Sequence, residues 1–113
     1  MTDVVYVNEE EGKRRIMNNA KLYAKLLVKF KEGTNLDELI ASATAGDWEK
    51  AQAAAHTVKG VAANLSLTEL YKQSREVETQ LKTGSITLES LENLKTCFSA
   101  TVAAVDMVIA QNV

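Results

Sequence analysis

Residues 48–65 read WEKAQAAAHTVKGVAANL, and this stretch decides the fold. Asp47 precedes it as a cap and no Pro interrupts it, so it predicts a helix from Trp48 to about Leu65. At about 100° per residue from Val58, the residues Ala51, Ala54, Ala55, Ala62 and Leu65 share one side, with Val61 flanking them. His56 falls nearly opposite, on the solvent face. Ala53 (i−3), Gly60 (i+4) and Ala63 (i+7) accompany it. Lys59 lies one turn away on the flank, and Gln52 stands at i−4. An exposed helix face ordinarily carries Glu, Lys, Gln and Arg. Here the exposed His is ringed by Ala and Gly.

A Gly inside a helix costs ~1 kcal/mol relative to Ala, so Gly60 asks for a reason beyond stability. One reason is clearance, which lets a partner reach the imidazole. Close helix–helix packing is another, and the residues alone leave both open. Lys59 would suit an incoming anion such as a phosphoryl group, or serve as an ordinary solvated charge.

Outward from this helix the punctuation is regular. Asn8 with Glu11 reads as a capping box opening a first short helix, ended by Asn18-Asn19. A second helix reads from about Ala20 to Glu32, with Leu22, Tyr23, Leu26, Leu27 and Phe30 on one stripe. Asn35 with Glu38 opens a third, closed by Gly46. Ser66 with Glu69 opens a fifth, from Leu67 to Lys82, stopped by Gly84. Thr87 opens the last, Leu88 to about Gln111, with Leu91, Leu94, Phe98, Val102, Val105 and Ile109 at spacings of three and four. Short gaps predict antiparallel neighbours. Val4 to Val7 is apolar and suited to covering one end of the bundle. Glu9–Glu11 and Lys13–Arg15 have the i,i+4 spacing of surface ion pairs. Trp48 is expected at a helix entrance, Met17 and Met107 as fillers, and Cys97 as an inert, at least half-buried thiol.

The 113 residues predict one domain over 1–113. A net charge of −2 argues against a nucleic-acid surface. One Cys excludes an internal disulfide and a Cys-rich zinc site, and one His excludes a multi-His metal site. No apolar run approaches ~18 residues, so neither a signal peptide nor a membrane partner is expected. The expectation is a cytoplasmic monomer. Met1 and the fraying-type C-terminus suggest a complete small protein.

The segment His56-Thr57-Val58-Lys59-Gly60-Val61-Ala62-Ala63-Asn64-Leu65 resembles the signature of histidine-containing phosphotransfer (HPt) domains of two-component phosphorelays. That pattern has His, Lys at +3, Gly at +4, small residues after it, and a frequent Gly at +10, where this chain has Ser66. Lys21 to Phe30, Ala45-Gly46-Asp47-Trp48, and Leu70 to Leu81 with Val77-Glu78 resemble the flanking helices and turn of the family. The resemblance runs from about Asn8 to Gly84. It implies an all-α fold, an antiparallel four-helix bundle with additional short N-terminal helices.

It also implies that His56 is the phosphoacceptor, through Nε2. The chain would be a carrier rather than an enzyme; no P-loop, glycine-rich lid or kinase motif is visible. His56 would take a phosphoryl group from a receiver-domain aspartate of a hybrid histidine kinase and pass it to the receiver of a response regulator. Lys59 would offset charge on the phosphoryl oxygens, and Gln52 could hydrogen-bond them. Gly60 would admit the partner's loop, and Ala53 and Ala63 would keep the face flat. No cofactor is expected; Mg²⁺ would belong to the receiver. Two other readings compete. One is a helical adaptor that docks receivers without transfer. The other is a small enzyme using His56 as general base, for which no acid partner stands at helical spacing.

Overall fold

A computed structural model describes residues 4–111; Met1 and the C-terminal end fall outside that span. Six helices follow in order: α1 (Glu9–Arg14), α2 (Ala20–Gly33), α3 (Asp37–Thr44), α4 (Trp48–Leu65), α5 (Thr68–Thr83) and α6 (Leu88–Gln111). No strand occurs among the described residues. The architecture is an all-α antiparallel bundle of α2, α4, α5 and α6. The most extensive interface is between α4 and α5. α6 packs on α5 and α2, and α2 also meets α4. The short α3 lies on α4, and α1 on α2.

The caps follow the sequence in α1 and α4, and Asn19, expected only to end the first helix, also caps α2. The side-chain oxygens of Asn8, Asn19 and Asp47 accept from the backbone N–H of Glu11, Leu22 and Lys50. α3 starts later than expected. Asn35 Oδ1 accepts from Asp37 N–H at 2.9 Å, a local turn that leaves Leu36 as the residue before the helix. Met17 and Asn18 both take left-handed backbone, which breaks the chain between α1 and α2. The three ion pairs Glu9–Lys13, Glu10–Arg14 and Glu11–Arg15 all form along α1.

α4 places Ala51, Ala55, Val58, Ala62 and Leu65 in the core, with Ala54 and Val61 half-buried. Facing them are Tyr23, Leu27 and Phe30 of α2, Leu70, Val77 and Leu81 of α5, and Leu91, Leu94 and Val105 of α6. Several stripes differ from expectation. Leu22 is exposed, because α2 turns Tyr23 and Ala24 inward instead. On α6 the fully covered row includes Cys97, Thr101 and Val108, while Phe98, Val102 and Ile109 lie at its edge. Met17 and Met107 are exposed and fill nothing. Tyr6 and Val7 pack against the core, whereas Val4 and Val5 stay exposed. Cys97 is buried, and burial pushes its thiol pKa up, which keeps it inert. By length and composition α6 is apolar enough to cross a membrane, but its Leu91, Leu94 and Val105 are packed in the bundle. The half-exposed Trp48 ring lies over Gly84 at the turn between α5 and α6.

The joint between α1 and the end of α4 corrects the expected role of Ser66. Ser66 does not cap α5; Leu67 stands there, with no side-chain cap. Instead Ser66 closes α4 in the left-handed conformation, φ 57° and ψ 40°. A Gly would sit there without strain. Ser66 is anchored on both its polar groups. Its hydroxyl donates to Glu11 Oε1 at 2.9 Å, and its carbonyl accepts from Asn8 N–H at 2.9 Å. The Asn8–Glu11 box is therefore half open, since its return bond is diverted to Ser66. Beside it Tyr23 donates its phenol to the Leu65 carbonyl at 2.7 Å. Burial, with Glu9 and Glu11 nearby, pushes that phenol up to about 12, so it remains a donor.

Gly12 now has a reason. A Cβ there would lie 2.4 Å from the Tyr23 ring. In an ordinary helix Gly→Ala gains ~1 kcal/mol. Here Gly12→Ala should instead lower stability by about 1–3 kcal/mol, the usual range for overpacking. Urea unfolding checks this; a more stable variant would show that the ring does not rest on Gly12.

Candidate functional site

The site is built on the outer face of α4 and completed from α5. His56 is exposed, with 69% of its side chain accessible. Ala53 and Gly60 are exposed beside it, while Ala63 and Gln52 are half-buried. A Cβ placed on Gly60 would meet nothing within 4 Å. Close helix packing therefore does not account for this glycine, and open space lies over it.

Glu78 is the site residue that sequence reasoning did not single out. It sits on α5 among Leu70, Ser74, Val77 and Leu81, on the buried stripe. Its Oε2 lies 3.0 Å from His56 Nδ1, and its Oε1 accepts from Lys59 Nζ at 2.7 Å. One carboxylate thus bridges both signature side chains. Only 9% of the Glu78 side chain is accessible, because the His56 ring and the Lys59 chain roof it over. A carboxylate on an apolar stripe was the available signal. It could be read only by knowing which α5 face meets α4.

The electrostatics follow from this roof. Burial alone would raise the Glu78 pKa. Hydrogen bonds and charge from Lys59 and His56 outweigh it, and the carboxyl stays below its ordinary value. Glu78 is then an acceptor only. The hydrogen-bond network assigns the proton to Nδ1, and His56 Nε2 keeps its lone pair toward solvent. Lys59 is not a free cation here; its charge is held by Glu78. Among the described residues no group of three or more His, Cys, Asp or Glu could hold a metal ion.

A family model described as the Hpt domain matches residues 30–104. The chain belongs to the Hpt domain family. The matched span begins at the end of α2, includes the whole of α3, α4 and α5, and reaches well into α6. It therefore extends further into the last helix than the motifs do, and it leaves out α1. No curated protein and no solved structure matches the chain. Membership implies phosphotransfer in two-component systems, with receiver domains as partners; Hpt domains carry phosphoryl groups and are not kinases.

The depressed Glu78 pKa makes a stability prediction. Its contribution is fully present above the unfolded value of 4.5 and is lost as pH falls through the lower folded value. Glu78→Gln should cost about 1–3 kcal/mol near neutral pH, the scale of a broken buried hydrogen bond. That gap should narrow on acidification below the ordinary carboxylate range. Urea unfolding of both proteins across pH measures it, and a gap that stays constant would contradict the ion-pair assignment.

Proposed function

We propose that this domain carries a phosphoryl group on His56 Nε2, between the receiver aspartate of a hybrid histidine kinase and that of a response regulator. The observation that carries this reading is the Nδ1 hydrogen bond to Glu78, which leaves Nε2 as the free, outward nitrogen. Nε2 attacks phosphorus, the Nε2–P bond forms, and the acyl-phosphate P–O bond breaks. The electron pair leaves with the partner's aspartate carboxylate. No proton moves, because Nδ1 keeps its own throughout. The phosphorylated ring becomes cationic, and Glu78 stands 3.0 Å from that developing charge.

Lys59 would turn from Glu78 toward the phosphoryl oxygens as the ring takes over its place, and Gln52 could contribute one further hydrogen bond. Gly60, Ala53 and Ala63 would leave room for the receiver's loop. Any Mg²⁺ is assigned to the receiver, whose acidic site would bind it. A cytoplasmic setting and a monomeric state fit this reading. The general-base alternative had lacked an acid partner; Glu78 is an acidic residue within reach from another helix, but as a carboxylate it orients Nδ1 and donates no proton. That orientation would suit a base at Nε2, but among the described residues no Ser, Thr or Cys hydrogen-bonds His56.

His56→Gln should abolish labelling by a phosphorylated receiver and leave helicity unchanged by circular dichroism. Acid-labile, base-stable phosphate retained on the variant would overturn the assignment. Gly60→Glu should slow transfer at least tenfold, roughly the effect of a misplaced encounter, while changing stability little. In nitrogen-15 NMR the neutral ring should be the Nδ1–H tautomer, and Glu78→Gln should weaken that bias.

A further inference from the structure

The α4 face is not electrically even along its length. From Ala51 to Leu65 the helix holds no Asp or Glu, although the protein is net negative. At its N-terminal end stand Asp47 and Glu49, while Glu38 of α3 is paired with Lys50 at 3.8 Å. At its C-terminal end the cations Arg15 and Lys29 stand with one acid, Glu11, beside Arg15. A groove of about 540 Å³ runs between α2 and α4 there. Ile16, Leu26, Phe30 and Val61 form its floor, and Arg15 and Lys29 are exposed at its rim. Arg15 also borders a second groove on the α5 side of α4, beside Ala63 and Tyr71. It therefore stands over the end of the His56 face rather than to one side.

Neither rim cation is firmly held. Among the described residues Lys29 forms no ion pair. Arg15 meets Glu11 only at 3.5 Å, with about half of each side chain accessible, a pair that contributes little. Glu11 has a second partner in the Ser66 hydroxyl, so it stays in place when Arg15 swings away. Opening the pair therefore costs the fold little.

We infer that Arg15 and Lys29 form an acid-reading rim that orients the docked partner along α4. The occupant is the receiver domain that brings the phosphoryl group, seated with an apolar segment in the α2–α4 groove and a carboxylate-bearing edge over the two cations. The inference rests on the carrier reading above and adds a polarity to it. Charge complementarity makes one orientation favourable. The reversed one would bring the same acidic edge against Asp47 and Glu49, where like charges repel. Lys59 cannot supply this discrimination in the resting state, because Glu78 neutralises it.

The test measures phosphotransfer to the full chain from a receiver that labels wild-type His56. Arg15→Glu, Lys29→Glu and the pair are compared with Lys82→Glu, an equal charge change at the far end of α5. Arg15→Gln provides a variant that keeps α1 milder in charge, and circular dichroism checks folding. The double reversal should lower the second-order transfer rate about tenfold at low salt, with most of the difference gone near 0.5 M salt. Labelling by phosphoramidate, which needs no docking, should be unchanged. Rates equal to those of Lys82→Glu, or an equal loss with phosphoramidate, would overturn the rim. If no receiver labels the wild type, the carrier reading itself fails, and the rim fails with it.

Discussion

Close approach to α4 is the constraint from which the rest of the structure follows. Its inward face is mostly alanine, and Ala51, Ala55 and Ala62 are wholly covered. Small side chains let α5 come near enough that a glutamate on its buried stripe reaches under the outer face of α4. With Leu in place of those alanines the backbones would stand further apart. Glu78 could not then meet both His56 and Lys59. The chemistry of the outer face is therefore set by residue size on the inner one.

The same closeness explains what the sequence could reveal. The limits of α4, α2 and α6 were legible, because caps, glycines and apolar spacing are local signals. The outward position of His56, Ala53 and Gly60 was legible for the same reason: it needs only the helical repeat. Glu78 was not. Its role depends on a contact across 22 positions, and a carboxylate on an apolar stripe does not by itself say which face of α4 lies over it. Ser66 failed for a related reason. A Ser followed three residues on by Glu69 is a fair local sign of a cap, yet a tertiary bond to Glu11 holds it in another conformation. Gly12 was unreadable until the Tyr23 ring was placed against it.

These distant contacts join two ends of one assembly. Family membership rests on residues 30–104, and α1 lies outside them. Even so, α1 grips the end of α4 through Asn8 and Glu11, and packs on α2 through the Gly12–Tyr23 contact. Tyr23 then ties α2 to the last carbonyl of α4. The N-terminal segment thus belongs to the mechanics of α4 even though it adds no residue beside His56.

The ring of Trp48 over Gly84 has a practical consequence. It is the sole indole of the chain, and it marks the entrance of α4, two turns before His56. Its emission therefore senses the seam where α4 meets the turn between α5 and α6. Events at the far end of α4 leave that seam undisturbed unless the helix itself shifts or melts. The molecule carries its own optical gauge, able to tell a bundle coming apart from a partner settling on its surface.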